Sequence, residues 1–139
     1  MTDQPSPAEG KSVLHPAGTV VGIIDSPDDA QAALDALHGS GFSDDSVVVV
    51  CGPLGARHLV NAPERLSLLK RLVHVVHNPH EQATLPSVRY AVAVENGHMC
   101  LRVHVTTDTE RDSARWILKS HGGHYITYHG LSTTELLDE

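Results

Sequence analysis

Two stretches of this chain carry the same plan, 81 residues apart. Thr19 to Asp25 (TVVGIID) is a continuous apolar run of the kind that forms an interior strand. Ser26-Pro27-Asp28-Asp29 then opens a helix, with Ser26 as N-cap, Pro27 at the first helical position and two acids at the positive end of the dipole. Ala30, Ala33, Leu34 and Leu37 make one apolar face, and Gly39 and Gly41 end the helix. Ser46 to Cys51 (SVVVVC) is a second buried strand, because four β-branched residues in a row suit a helix poorly. In the last third, Met99 to Thr106 (MCLRVHVT) alternates, Thr107-Asp108-Thr109-Glu110 reads as a capping box, and Ala114, Ile117 and Leu118 supply an apolar face. Gly122-Gly123 end that helix and His124 to His129 (HYITYH) closes the pattern. Ser26 matches Thr107, Asp29 matches Glu110, Ala33 matches Ala114, Leu37 matches Leu118 and Gly41 matches Gly122.

A repeated βαβ unit is the building block of a split-βαβ sandwich. The expected fold is therefore α+β, a ferredoxin-like split βαβ sandwich with a helical insertion between its halves. Its two capped helices lie on one side of a four-stranded sheet. Residues 1–17, with Pro5, Pro7 and Pro16, read as a disordered tail, 18–131 as a single domain with the insertion at about 53–97, and 132–139 as a C-terminal tail. Within the insertion, Gly52-Pro53-Leu54-Gly55 is a loop, and Glu64 to His77 reads as a helix with Leu66, Leu69, Leu72, Val73 and Val76 inward. Ser87 to Gly97 fits either a hairpin turning at Asn96-Gly97 or a short helix ended by Gly97, with the pattern slightly favouring the hairpin. Trp116 lies beside the second apolar helix face and is expected to pack against the insertion.

Composition narrows the function. A length of 139 residues suffices for one core without disulfides or metals, and with one Trp, one Phe and three Tyr that core is aliphatic. A formal charge of −7, with Lys70-Arg71 the densest basic group, excludes a non-specific nucleic-acid binder and disfavours an anionic membrane surface. Two cysteines, Cys51 and Cys100, make no disulfide framework; no signal peptide or membrane span is evident, so the cytoplasm is the expected compartment. The unusual count is 11 His, enough to carry the formal charge from −7 through zero if all were protonated.

The chain resembles the small bacterial general-stress (heat-induced stress) protein family. The residues that carry the resemblance are Val20-Val21-Gly22-Ile23-Ile24-Asp25-Ser26, Asp28-Asp29-Ala30, Ala33-Leu34, Gly41-Phe42 and Gly52-Pro53. They continue with Tyr90, Gly97-His98, Leu101-Arg102-Val103-His104-Val105, Ala114, Ile117-Leu118, His121-Gly122-Gly123 and Tyr128-His129-Gly130. The resemblance spans roughly residues 18–131. It implies a ferredoxin-like fold, a link to general stress response and a helix rather than a hairpin before Gly97, and that helix is adopted. It implies no catalytic residues. Cys100, His104, His124 and His129 depart from it, standing where aliphatic or ordinary polar residues are expected, which leaves room for a specialised role.

Three groups of side chains invite chemistry. His98, Cys100, Arg102 and His104 share one strand face, opposite Leu101, Val103 and Val105. If the apolar set meets the helices, the polar row lines the open sheet face, as ligand site or dimer interface. Depending on register, the last strand adds either His124, Ile126 and Tyr128 or Tyr125, Thr127 and His129; His124 and Tyr128 are taken as candidates. A transition metal or a haem is the cofactor class such a row suits, and His74, His77, His98, Cys100 and His104 are its candidate ligands, with His80 next in the spacing. On the expected helix His74 and His77 share a face with Lys70, which a solvated polar surface also explains. Gly52, Gly55 and Arg57 are candidates for an anion-binding loop, though without the spacing of a phosphate fingerprint. No nucleophile motif pairs either Cys with a His, and no G-x-S-x-G occurs.

The expected function is therefore a non-enzymatic, stress-associated domain that acts through homodimerisation, or through a partner or ligand, on the open sheet face. The alternatives are a His-mediated metal- or haem-binding protein and a small enzyme of the dimeric α+β barrel kind.

Overall fold

Both βαβ units form where the repeat places them. The structure is a computed structural model and describes residues 13–77, 85, 87–130 and 133–139. In chain order the elements are β1 (Val13–Ile24), α1 (Pro27–Gly39), β2 (Val47–Cys51), α2 (Pro53–Leu59), α3 (Ser67–Leu72), β3 (Val73–Val75), α4 (Val88–Glu95), β4 (Met99–Thr107), α5 (Asp108–Ser120), β5 (His124–His129) and β6 (Thr134–Asp138). The helix starts carry the caps that the sequence promises. Ser26 Oγ accepts from the Asp29 amide and Thr107 Oγ1 from the Glu110 amide, both at 3.1 Å. The Glu110 carboxylate returns one residue early, to the amide and hydroxyl of Thr106 at 2.8 and 3.0 Å. Gly41 and Gly122 follow the two long helices with φ of +97° and +84°, where a side chain would be strained.

The chain is mixed α+β, and its described residues form five helices and a six-stranded mixed sheet in the order β3-β2-β4-β1-β5-β6. All neighbours are antiparallel except β2 and β3. On one side, Leu101, Val103 and Val105 of β4 share a core with Ala33 and Leu37 of α1 and Ala114 and Leu118 of α5, as the alternation requires. On the other side α4 lays Tyr90, Ala93 and Val94 over Val21, Ile23, Val50 and Cys100. The helix adopted for the segment before Gly97 is thus present, and Gly97 ends it with a φ of +94°.

Four expectations need correction. The sheet has six strands rather than four, because both its edges gain one. The expected Glu64–His77 helix stops at Leu72; Val73-His74-Val75 instead pairs in parallel with β2, where Val73 and Val75 pack on the helix-side core and the β2 edge gains hydrogen-bond partners. The expected tails are shorter: β1 begins at Val13, and β6 occupies residues 134–138 against β5. Trp116 does not pack against the insertion and is 68% exposed on α5.

Candidate functional site: the uncovered part of the sheet

Among the described residues, the face opposite α1 and α5 is covered only in part. Strand register arranges its side chains in lateral rows, about 4.8 Å apart across strands and about 7 Å apart along them. The row His74–Val50–Cys100–Ile23 starts at an exposed His74 on the β3 edge, and its other three members lie under α4 in the second core. Next comes Val48–Arg102–Val21–Thr127–Leu136, and beyond it His104–Thr19–His129–Thr134. In the first of these rows Val21 and Thr127 are buried beside Tyr90, Val48 and Leu136 at its ends are 42% and 51% exposed, and Arg102 is half-buried; in the second His129 is half-buried and His104 exposed.

A chain of polar contacts runs from the interior to this surface. Tyr90 Oη lies 2.8 Å from the Tyr125 carbonyl, 3.1 Å from the Val21 carbonyl and 2.5 Å from Thr127 Oγ1. Thr127 Oγ1 is 2.8 Å from His129 Nε2, and His129 Nδ1 is 3.3 Å from Thr134 Oγ1. Burial, and secondarily the Arg102 charge, hold the His129 imidazole below its ordinary range. Burial drives the Tyr90 phenol well above its range, so it stays protonated.

Arg102, like the exposed Arg57 on α2, lacks the carboxylate that most arginines here meet. Arg65, Arg71, Arg111 and Arg115 each meet a carboxylate, and Arg89 lies 3.8 Å over the Tyr125 ring. Arg102 has no carboxylate partner among the described residues, and no carboxylate lies in the two uncovered rows.

The structure separates the candidate ligands. His98 precedes β4 and leaves the row: its Nδ1 is 2.9 Å from Asp25 Oδ1. His124 Nε2 is 2.9 Å from the same oxygen, so one carboxylate joins the ends of three strands. Cys100 is fully buried under α4, and burial pushes its thiol up to about 12, so it is neither a surface ligand nor a ready nucleophile. Cys51 is likewise buried and raised. Tyr128 points into the helix-side core, because the strand takes the register that puts Thr127 and His129 on the open face. A shift between Val21 and Ile23, with Tyr125 at a φ of +48°, breaks the alternation that would have carried His124 along. His74 sits in β3 and His77 just past it, so the shared helix face does not exist; His80 lies outside the described residues.

Among the described residues no group of three or more His, Cys, Asp and Glu side chains is arranged to hold a metal. At Asp25 the carboxylate oxygen itself occupies the place between the two imidazoles. The expected set of His74, His77, His98, Cys100 and His104 is therefore not brought together. The anion loop fails as well. Gly52 and Gly55 are buried where a Cβ would meet the Val94 carbonyl at 3.0 Å and Cys51 Cβ at 3.1 Å, while Arg57 is exposed on α2. Those glycines let α2 approach β2 and α4, which is a packing role.

Of the expected candidates, Arg102 and His104 lie in the two partly covered rows, and His74 is exposed on the same face at the β3 edge. Sequence reasoning listed Thr127 and His129 together as one of two register options and overlooked Thr19 and Tyr90. The signal for Tyr90 was present in its helical spacing to Ala93 and Val94. The register depended on an irregularity that periodicity does not reveal. Among the described residues no helix is long and apolar enough to cross a membrane. No protein-family model, curated protein or solved structure matches this chain.

Proposed function

We propose that this chain is a non-enzymatic, stress-associated binding domain of ferredoxin-like architecture, which works through the uncovered part of its sheet and pairs there with a second copy of itself. The order β2-β4-β1-β5, with α1 and α5 on one side, supports the architecture, since it is the order of a split βαβ sandwich. The stress association rests on the resemblance to the general-stress family. One observation carries the binding role: two partly covered rows hold two imidazoles and an Arg102 without a carboxylate partner among the described residues, with the exposed apolar side chains Val48 and Leu136 at the margins. A charged centre with an apolar margin is poorly served by water alone and gains from a covering partner. The high thiol pKa of Cys100 and the burial of both cysteines favour binding over nucleophilic catalysis.

Sedimentation of the full chain at high micromolar concentration tests this. A mass of two copies is expected, falling to one in Val48→Lys or Leu136→Lys. A wild-type monomer under those conditions overturns the pairing.

A further inference from the structure

The hydrogen-bond chain behind the open face has a direction. Tyr90 has one phenolic hydrogen and faces two backbone carbonyls, at 2.8 and 3.1 Å. The hydrogen goes to them, because a phenol oxygen presenting only lone pairs to a carbonyl at that distance is repelled. Tyr90 therefore accepts from Thr127, and Thr127, having donated its only hydrogen, accepts from Nε2–H of His129. The neutral ring then carries no hydrogen on Nδ1, which becomes an acceptor. Its neighbour there is the hydroxyl of Thr134 on the exposed edge strand, which donates to it over a long 3.3 Å and which a ligand O–H would displace.

The uncovered face thus offers two unlike features within reach of each other: the uncompensated charge of Arg102 and an imidazole fixed as an acceptor. A fully ionised oxyanion suits the first and not the second, because its oxygens would face the lone pair of Nδ1. An oxyanion that keeps one O–H suits both. We propose that Arg102, His104 and His129 hold a small protonated oxyanion, hydrogenphosphate being the simplest, with the guanidinium on its charged oxygens and His129 Nδ1 accepting its O–H. His104 flanks the site from β4, directly across Thr19 from His129. Burial and the Arg102 charge keep the His129 ring neutral near pH 7, as the acceptor role requires. This inference rests on the reading of the uncovered rows as a binding surface.

The test is titration of the full chain at pH 7.5 with inorganic phosphate, sulfate and methyl phosphate, followed by calorimetry and by the imidazole NMR signals, with sedimentation in parallel. Sulfate matches phosphate in shape and charge but carries no proton near neutrality. Phosphate is expected to bind roughly tenfold tighter than sulfate, and Arg102→Gln to weaken phosphate by about tenfold or more. Thr127→Val cuts the chain that fixes the His129 tautomer and is expected to shrink the phosphate-to-sulfate ratio. Methyl phosphate, whose second pKa of about 6 leaves it without an O–H at pH 7.5, is expected to bind no tighter than sulfate, and methyl phosphate as tight as phosphate overturns the acceptor role of His129. Sulfate equal to or tighter than phosphate, no binding of any of the three, or phosphate binding unchanged in Arg102→Gln overturns the proposal. A dimer that binds no anion rejects this inference alone, whereas a monomer that binds phosphate as described rejects only the pairing.

Discussion

Tyr90 and His129 show how much of this molecule depends on single polar atoms. The Tyr90 hydroxyl is buried and serves two carbonyls and Thr127 at once. Tyr90→Phe keeps the ring and strands those partners, so a loss of about 1–3 kcal/mol is expected, read as a lower urea midpoint with an unchanged slope. An unchanged midpoint would show that the chain of contacts does not hold the fold. His129 adds a pH dependence. Its folded pKa is depressed, so the unfolded chain takes up this proton more readily. The stability tied to the neutral ring is whole above the unfolded value of about 6.5 and is lost as pH falls from there through the lower folded value. His129→Gln is expected to flatten the stability profile in that window, leaving the midpoint at pH 8 little changed. A profile of equal slope in the variant would place the titration elsewhere.

At the scale of elements, legibility followed locality. Helix α1 and helix α5 were readable because their caps, acids, stripes and terminal glycines lie within one short window each, and the Ser26 and Thr107 hydroxyls are hydrogen-bonded as the motif demands. Thr107→Ala is accordingly expected to cost about 1 kcal/mol in thermal or urea unfolding. Strand β3 was not readable, since Val73 and Val75 fit a helical stripe as well as a strand until the open edge of β2 decides. The same holds for β6, whose sequence is polar and short. It is held by Asp138, which accepts from Arg115 Nε at 2.6 Å and Lys119 Nζ at 3.1 Å on α5. Those bonds, Arg115 first, hold the Asp138 carboxyl below its usual range. Asp138→Asn is expected to free β6 and raise amide exchange along β5. Unchanged exchange at Ile126 and Tyr128 would assign the edge to side-chain packing instead.

The whole molecule is a sheet with two cores of unequal extent, and the sequence announces only the larger. The alternation of β4 told correctly that Leu101, Val103 and Val105 meet the two long helices. That α4 would bury Cys100 and leave Arg102 and His104 outside depends on where one short helix lands, a tertiary fact with no local signature. The consequence is a face whose charge is set by few groups. Around His129 stand Arg102 and His104 from β4 and the protonated Tyr90 from α4, with Thr127 and Thr134 as its direct partners. If two copies meet there about a two-fold axis, protonating His129 adds a cation beside Arg102 in each copy and cuts its acceptor role at the same step. The pair is therefore expected to loosen between about pH 7 and pH 5, with a higher dissociation constant in sedimentation at the lower value. His129→Gln cannot gain the charge and is expected to hold the pair across that interval. Association that weakens equally in the variant would move the switch to another histidine, and association that does not weaken at all would remove His129 from the contact.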